Sequence, residues 1–449
     1  MNRYFVITFG FLPVFVIAGV LLLFFANKPA AGPSTKEGLD KEFALYLEVR
    51  QKLLDHYDGE IDEQQLADQA LVGLAEGTGD RYTHLNPPIE AKSQDLDLRG
   101  QFFGIDCQIE NNEDGSIRIT TVQAGGGGEK AGLLADDVIV GVDGVSILGQ
   151  PSAASRQRII SEREGTVVKL SIARGGDPKK ANDPKAQKLD IEVTRSRVVQ
   201  YSVNDVHVES RGGKRFGYLA VAEFNANTFE QFRDAINDLG KQGVEGYVVD
   251  LRFNGGGRVP PAVDMADSLL REKDALIVFT KSNRESNRKY DHEYRTKDDT
   301  ALTDLPVVLL VDGGTASASE IFSGAMRDYG RVFIVGERTF GKGIVQTIFN
   351  IDTDPRYSLN ITTTQYFTPL GRKMHKGDHG EPGGILPDLL VPYKQGEREQ
   401  VRARMLTRQA RYNLAKIAET SKWWNFEDRQ LNAALDVLAG KPVAVKEDK

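Results

Sequence analysis

The chain of 449 residues has only one cysteine, Cys107, which excludes an intramolecular disulfide, a redox pair of cysteines and a cysteine-based zinc site. It also has no polybasic run, and its net charge of −7 gives no reason to expect nucleic acid as a partner. The histidines form no zinc-protease pattern, because His292-Glu293 lacks the second histidine of HExxH. His375 and His379 make only a weak metal pair, more typical of surface histidines. We therefore expect neither a metal nor another cofactor.

Charge is missing from one long stretch near the amino terminus, which runs from Phe5 to Ala26. A helix of that length reaches roughly 33 Å, enough to cross the ~30 Å hydrocarbon core of a membrane. We predict a single transmembrane anchor at 5–26, with 1–4 in the cytoplasm, 27–36 as a linker, and the rest on the periplasmic side of the inner (cytoplasmic) membrane. A cleaved signal peptide is the alternative, although Asn27-Lys28-Pro29 makes a poor cleavage site.

The remainder is predicted to fold, because hydrophobic residues make up 40% and charged residues 27% of the chain. Apolar residues at helical spacing, broken at Tyr57-Asp58-Gly59, predict a helical region first. Short strands between turn signals follow, the first of them expected over Gly104–Ile109. Strands that alternate with helices then predict an α/β layer with a buried sheet. The predicted boundaries are 37–97 for the N-terminal helical region, 98–197 for the mainly-β domain, 198–394 for the α/β core and 395–449 for a C-terminal helical extension.

Two glycine- or serine-containing stretches of the α/β region could carry chemistry. Asp250–Gly257 (DLRFNGGG) follows an apolar strand, and its glycines could offer backbone N–H groups to an anion; a flexible turn is the alternative. In Thr315–Glu320 (TASASE), Ser317 and Glu320 fit a capping box at the start of an amphipathic helix. A serine there is also well placed as a nucleophile, because the first-turn N–H groups and the helix dipole favour an anion beside it.

A third stretch, Gly336–Gly343 (GERTFGKG), is one residue short of a phosphate-binding loop, since Gly343 stands where a magnesium-binding Ser or Thr is required. An ATP-using enzyme therefore stays open as an alternative. No histidine lies in the three stretches and no GxSxG pattern is present, so a base for Ser317 would have to be a lysine. Lys342, among glycine and apolar neighbours, suits that role because desolvation favours the neutral amine; a solvated lysine is the alternative.

Together these segments resemble the carboxyl-terminal processing peptidases, a family of tail-specific serine proteases. The segments TASASEI at 315–321, TFGKGIVQ at 339–346 and DLRFNGGG at 250–257 are similar to the family's nucleophile, lysine and glycine-loop segments, although Gly255 stands where proline is frequent. Further similar segments are ITTTQYFTP from Ile361 and GILPD at 384–388. The resemblance implies Ser317 as the nucleophile, Lys342 as the base and Gln346 as the residue that orients it, with oxyanion donors from the N–H of Ala318 and of Gly257 or the neighbouring Gly256.

The mainly-β region resembles the family's PDZ domain, through Phe103-Gly104-Ile105 and the segment 129–144. The resemblance implies a PDZ domain inserted before a catalytic core of the ClpP/crotonase-like type. It also implies that the C-terminus of a substrate is received by Phe102, Phe103, Gly104 and Ile105. Gly125–Gly128 replaces the usual proline-containing loop, which leaves the ligand preference of the PDZ domain open.

The expected protein is thus a membrane-anchored serine endopeptidase that needs no cofactor. Its expected partners are protein substrates recognised by their C-termini, an activating adaptor protein, and further copies of the chain that associate through the terminal helices. The alternative class is a catalytically inactive, membrane-anchored PDZ scaffold, for which the PDZ domain and the helices would suffice.

Overall fold

The computed structural model of the protein describes residues 36–161, 163–377, 382–409 and 426–442. The predicted anchor at 5–26 lies outside these residues, as do residues 1–4, most of the linker and His379. Within the described ranges, no helix combines the length and the apolar character that crossing a membrane requires. The described chain divides between Ala70 and Leu71 into two compact units.

The first unit contains helix α1 (Lys36–His56) and the start of helix α2 (Glu63–Glu76). The predicted break at Tyr57-Asp58-Gly59 falls between them, and an ion pair of 2.5 Å joins Arg50 of α1 to Glu63 of α2. Helix α1 has no buried residue, and its exposed large apolar side chains are Leu39, Phe43, Leu45, Tyr46, Leu47, Val49 and Leu53.

A short segment then leads into the mainly-β region through strand β1 (His84–Asn86) and helix α3 (Pro88–Arg99). Helix α3 has proline in its first turn, where the N–H group has no partner in the helix and is not missed. It ends at Gly100, whose φ of 66° is the left-handed conformation that glycine adopts without strain. Proline and glycine therefore determine where α3 begins and ends.

The mainly-β region has its own apolar core. Its elements are β2 (Gln101–Gly104), β3 (Cys107–Asn111), β4 (Ile117–Val122), α4 (Gly127–Lys130), β5 (Val138–Val142), β6 (Val145–Ser146), α5 (Ser152–Ile159), β7 (Val167–Arg174), β8 (Gln187–Thr194) and β9 (Ser196–Val199). The strands β3-β4-β5-β7-β8 form one sheet in that order, β6 pairs with β5, and β2 pairs with β9. Alternate residues point into the core, such as Ile117 and Ile119 of β4 and Val168 and Leu170 of β7.

The strand predicted over Gly104–Ile109 is wrong, because the structure breaks it into β2 and β3. The break lies at Ile105-Asp106, where Asp106 has a φ of 50° that no strand accommodates. The Asp106 carboxylate accepts hydrogen bonds from the Gly127 N–H at 2.9 Å and from the Ser196 hydroxyl. Contacts with residues so distant in sequence stabilise a bend that local periodicity does not reveal.

The α/β region alternates strands and helices as the sequence predicts. Its elements are β10 (Val203–Arg211), β11 (Lys214–Val221), α6 (Thr228–Lys241), β12 (Tyr247–Asp250), α7 (Val259–Asp267), β13 (Leu276–Lys281), a short 3-10 helix (Glu285–Tyr290), β14 (Glu293–Arg295), β15 (Val307–Val311), α8 (Ala318–Asp328), β16 (Val332–Gly336), β17 (Ile344–Asn350), β18 (Ser358–Phe367) and β19 (Leu389–Leu390). Helices α9 (Glu397–Gln409) and α10 (Arg429–Leu438) follow.

The main sheet of this region has the order β10-β11-β12-β15-β16-β19 and is parallel from β11 onward. Successive strand residues point to opposite faces, and both faces are covered. Val249 and Leu309 belong to the apolar cluster that includes α6, α7 and α8, whereas their neighbours Val248 and Val308 belong to the cluster that includes α10. The C-terminal helix α10 is thus part of the packed core.

A second, antiparallel sheet has the order β1-β18-β13-β14, with β17 paired to β18. Strand β1 comes from before the mainly-β region and so crosses into the α/β region. The pairing of β17 with β18 shifts register between Val345 and Gln346. Such an irregularity re-aims side chains next to it.

The three stretches singled out in the sequence converge at one edge of the main sheet. Asp250–Gly257 follows β12, Ser317 follows β15 and the lysine loop follows β16, and these three strands are parallel neighbours. The carboxyl ends of parallel strands meet at one edge, which is where α/β proteins bind their ligands.

Candidate active site

Ser317 lies in the turn from β15 into α8, with a φ of 58° and a ψ of −117°. A residue with a side chain pays on the order of 1–3 kcal/mol for such a conformation, and strained turns of this kind cluster at functional sites. The Glu320 carboxylate accepts a hydrogen bond from the Ser317 N–H at 2.9 Å, as expected of the capping box. The turn presents Ser317, half-buried, at the positive end of a helix.

Ser319, two residues later, cannot act in the same way. It is fully buried, and its hydroxyl donates to the Asn254 carbonyl at 3.0 Å. The same carbonyl accepts from the Ala316 N–H at 2.9 Å, which ties the serine turn to the glycine stretch. Of the two serines, Ser317 is the one that a substrate can reach.

Lys342 and Gln346 are in direct contact, because Lys342 Nζ donates to Gln346 Oε1 at 2.9 Å. The other end of the amide, Gln346 Nε2, donates to the backbone carbonyl of Tyr82. Lys342 Nζ also lies 5.0 Å from the centroid of the Tyr82 ring. Both side chains are half-buried, so the amine is partly shielded from water.

Burial lowers the pKa of Lys342 below its ordinary value of 10.5, and the negative charge of Asp80 opposes part of that effect. Desolvation disfavours the ammonium form, whereas a nearby carboxylate favours it. Because burial is the larger effect, the neutral amine is more populated near neutral pH than it would be in a solvated lysine.

The carboxylate of Glu320 joins the serine and lysine segments. Besides the Ser317 N–H, it accepts hydrogen bonds from the Lys342 N–H at 2.9 Å, the Gly341 N–H at 2.7 Å and the Thr339 hydroxyl at 2.6 Å. Burial raises the pKa of Glu320, and these hydrogen bonds oppose the rise. The sequence assigned Glu320 only to the capping box, so its bond to the lysine segment is a finding of the structure.

The hydroxyl of Tyr366 makes a second bridge between the two segments. It lies 2.6 Å from the carbonyl oxygen of Lys342 and 3.0 Å from that of Ser317. Complete burial raises the pKa of Tyr366 well above its usual value, so the phenol remains a donor. Within the described residues no hydrogen bond joins Ser317 Oγ directly to Lys342 Nζ, and the two residues are held beside each other by Glu320 and Tyr366.

The glycine stretch approaches the serine turn closely. A Cβ atom at Gly256 would lie 2.8 Å from Ser317 Cβ and 2.9 Å from the Ala318 nitrogen. The Gly256 N–H already donates to Asn254 Oδ1 at 2.9 Å, whereas the N–H groups of Gly257 and Ala318 have no acceptor among the described residues. Of the two alternatives from the sequence, the geometry favours Gly257.

The conformation of the glycine stretch is anchored by a buried arginine. The side chain of Arg252 is 1% exposed and pairs with Asp250 at 2.6 Å and with Asp428 at 2.9 Å. Asp428 is the N-cap of α10, so the C-terminal extension supports the stretch that carries Gly257. No local sequence pattern indicates this long-range pair.

The loop Gly336–Gly343 is followed by β17 and not by a helix. A phosphate-binding loop depends on the N–H groups and dipole of a helix that begins at its end. The structure therefore argues against the ATP-using alternative. In the described part of the chain, no group of three or more His, Cys, Asp or Glu residues could hold a metal ion.

A cavity of about 370 Å³ in the mainly-β region contains three of the four predicted ligand-binding residues, Phe102, Gly104 and Ile105. Phe103 is not part of its lining, and the Phe103 N–H donates to the carbonyl of Ser161 at 3.1 Å. Helix α5 contributes Arg156 to the cavity wall. The arrangement suits an extended chain end that lies between a strand and a helix.

Helix α3 forms a wall of this cavity and of a second one beside the glycine stretch at Gly257. The second cavity, of about 420 Å³, is lined by Gly257, Phe224 and Glu223 and by residues of α3. Ser93 and Asp97 of α3 line both cavities. Burial raises the pKa values of Asp97 and Glu223, whose charges also repel each other. A single helix is thus in contact with the two places where a substrate chain could bind.

A half-buried serine in a strained turn, a half-buried lysine whose segment is tied to it, and free backbone donors nearby are the arrangement of a serine peptidase, here in a chain that also carries a PDZ-type domain. Comparisons with known proteins agree. Residues 215–391 match the profile of peptidase family S41, and residues 118–174 match that of the PDZ domain.

The carboxyl-terminal-processing protease of Picosynechococcus sp. is 32% identical over 348 residues, which cover 77% of this chain and 77% of that protein. The carboxy-terminal processing protease CtpA of Bacillus subtilis is 29% identical over 402 residues, covering 89% of this chain and 81% of that protein. A solved structure, the photosystem II D1 C-terminal processing protease, has 27% identity and a TM-score of 0.42 over 77% of this chain and 86% of that chain. The chain belongs to the carboxyl-terminal processing proteases of peptidase family S41, and it is a serine-type peptidase.

Proposed function

We propose that the protein is a membrane-anchored endopeptidase that cleaves protein substrates near or from their C-termini, with a Ser317–Lys342 dyad in a core of the ClpP/crotonase-like type. One observation carries the proposal: a single buried carboxylate, Glu320, holds the N–H groups of both residues at 2.9 Å. Cleavage of a protein substrate that disappears in Ser317→Ala tests it. A folded wild-type protein that neither cuts substrates nor reacts with a serine-directed acylating probe would favour the PDZ scaffold.

In the proposed reaction the neutral amine of Lys342 takes the proton of Ser317 Oγ as Oγ bonds to the scissile carbonyl carbon. The oxyanion that forms is stabilised by the N–H groups of Gly257 and Ala318, each worth roughly 3–4 kcal/mol by comparison with other serine proteases. The Lys342 ammonium then protonates the leaving amine as the C–N bond breaks. A water molecule deprotonated by Lys342 hydrolyses the acyl-enzyme, while Gln346 keeps the amine oriented.

We further propose that the PDZ domain receives the free C-terminus of a substrate and that binding there aligns the dyad. PDZ domains bind chain ends by strand addition, with backbone N–H groups that receive the carboxylate. The cavity lined by Phe102 and Ile105 supports this proposal, and so does helix α3, which lines both this cavity and the one beside Gly257. A ligand that contacts α3 has a direct physical route to the glycine stretch at Gly257.

We expect a substrate with an apolar last residue and a free carboxylate to be cut roughly tenfold faster, in kcat/KM, than the same chain with an amidated end. Amidation removes a charged acceptor whose hydrogen bonds contribute about 1.5–3 kcal/mol, and 1.4 kcal/mol corresponds to a tenfold change. The rates are measured by chromatography of the products of the paired peptides.

Two variants locate the effect. Phe102→Ala should reduce the preference for the free carboxylate, because Phe102 lines the cavity. Val145→Ala, at an exposed position on β6, should leave the preference unchanged. Equal rates for the two peptides with the wild-type protein would reduce the PDZ domain to a structural spacer.

We propose that residues 5–26 anchor the protein in the inner membrane with the catalytic part on the periplasmic side, because the run is long and carries no charge. The intact protein is then expected to stay in the membrane fraction through an alkaline carbonate wash. A soluble mature chain whose amino terminus lies near Ala31 would show cleavage instead. We also propose that copies of the chain associate through the terminal helices and that an adaptor protein activates the enzyme. The exposed apolar side chains of α1 support the self-association.

A further inference from the structure

We infer that Tyr82, which lies before the PDZ domain in sequence, is a positioning residue for the lysine base: its backbone carbonyl holds the amide of Gln346, and its ring covers the amine of Lys342. This role rests on the proposed Ser317–Lys342 dyad, and it gives the N-terminal segment a part in the chemistry.

The carbonyl of Tyr82 determines which end of the Gln346 amide faces the lysine. Gln346 Nε2 donates to this carbonyl, which leaves Gln346 Oε1 to accept from Lys342 Nζ at 2.9 Å. His84 Nδ1 also lies 2.7 Å from the Tyr82 carbonyl oxygen. An amide turned the other way could not accept from the ammonium form, and it would donate an N–H to the lone pair with which the neutral amine must take the serine proton. The carbonyl therefore selects the one amide orientation that can hold the amine in place.

The position of Tyr82 is fixed by a tight turn that is attached to the second sheet. The Asp80 carboxylate accepts from the Tyr82 N–H at 3.0 Å and from the Thr83 hydroxyl at 2.8 Å. The Thr83 hydroxyl oxygen in turn accepts from the Thr362 N–H at 3.2 Å, and β1 pairs with β18 directly after it. Since β18 also pairs with β17, which carries Gln346, the turn and the amide are held by the same strand.

Tyr82 and Asp80 act on the charge of Lys342 in opposite directions. The face of the ring, 5.0 Å from Nζ, attracts an ammonium but also shields the amine from water. Burial is the larger influence and lowers the pKa of Lys342, whereas the Asp80 carboxylate raises it. The other titratable groups around the pair are Glu320 and Tyr366 on the Lys342 backbone, Arg81 and His375 at the Tyr82 ring, and Lys376 over Phe340. Opposite shifts in two neighbouring variants would separate positioning from a general loss of structure.

The test compares kcat as a function of pH for Tyr82→Ala, Tyr82→Phe and Asp80→Asn with that of the wild-type protein. Tyr82→Ala admits water to the amine, so the apparent pKa at which kcat rises with pH should increase by roughly 0.5–1 unit. The maximal kcat of this variant should fall about tenfold or more. Tyr82→Phe keeps the ring and should recover most of the activity. In Asp80→Asn the side chain can still accept from the Tyr82 N–H but has no charge, so the apparent pKa of the kcat profile should decrease.

The pKa of Lys342 can also be measured without a substrate, which tests the role of Tyr82 independently of proteolysis. The Cε resonance of Lys342, assigned by its absence in Lys342→Arg, is titrated by NMR in the same variants, and melting curves establish that each is folded. Midpoints that shift upward in Tyr82→Ala and downward in Asp80→Asn support the inference. Unchanged midpoints in both folded variants overturn it, even if Ser317→Ala has abolished cleavage and the dyad itself stands. Cleavage that survives Ser317→Ala would instead overturn the dyad.

Discussion

Replacing Ser317 by alanine is expected to lower the rate of peptide-bond cleavage by roughly 10⁴-fold or more without unfolding the protein. Lys342→Ala should lose as much, and the double variant should lose little further, because a nucleophile and its base act as a unit. The Ser317 side chain is half-buried, and its structural role is in the capping box with the Glu320 N–H, so its removal should cost only about 1 kcal/mol of stability. Cleavage of a peptide with a free apolar C-terminus and a thermal melting curve measure the two effects.

Ser319→Ala is the matched control for the nucleophile. In the wild-type protein the Ser319 hydroxyl donates to the Asn254 carbonyl. In the variant this carbonyl keeps its other hydrogen bond, from the Ala316 N–H. We expect most of the activity to remain and stability to fall by about 1 kcal/mol. An inactive Ser319→Ala beside an active Ser317→Ala would reverse the assignment of the nucleophile.

The parts of the site that the sequence predicted are those with a local signal. Three glycines after an apolar strand, a serine with Glu320 three residues later at a helix start, and a lysine between two glycines can all be recognised without a partner. Their convergence follows from topology, because β12, β15 and β16 are parallel neighbours and bring their carboxyl ends to one edge. The alternation of strands and helices was also predictable from a local signal, because buried parallel strands are nearly continuous apolar runs.

The parts that the sequence missed depend on partners far apart in the chain. Arg252 needs Asp428, and Gln346 needs the carbonyl of Tyr82, a backbone group that side-chain patterns do not encode. The bend at Asp106 is of the same kind, because the donors to its carboxylate, the Gly127 N–H and the Ser196 hydroxyl, lie 21 and 90 residues further along the chain. The predicted boundary 37–97 placed most of α3 in the N-terminal helical region, without indicating that this helix borders two cavities.

Placement of a predicted residue in the right segment does not ensure that it faces the site. Phe102 and Phe103 are adjacent in β2, yet only Phe102 lines the cavity, because successive residues of a strand point to opposite sides. The pairing of Phe103 with Ser161 determines that Phe102, and not Phe103, lies in the cavity wall. The register of a short strand is set by such partners, so sequence alone could not choose between the two phenylalanines.

Lys342→Arg is expected to be inactive, with a loss of roughly 10³-fold or more, although it keeps the length and the charge of the side chain. A general base must give up its proton, and a guanidinium does not do so in proteins. In the wild-type protein, burial lowers the pKa of Lys342 below 10.5, so kcat should rise with pH through an apparent pKa below that value as the neutral amine accumulates. Lys376→Arg is the matched control, because an arginine can keep the 3.9 Å contact of Lys376 with the Phe340 ring and should retain activity. Turnover by Lys342→Arg within tenfold of the wild-type rate, or a kcat that stays flat between pH 6 and about pH 10, would show that another group takes the proton of Ser317.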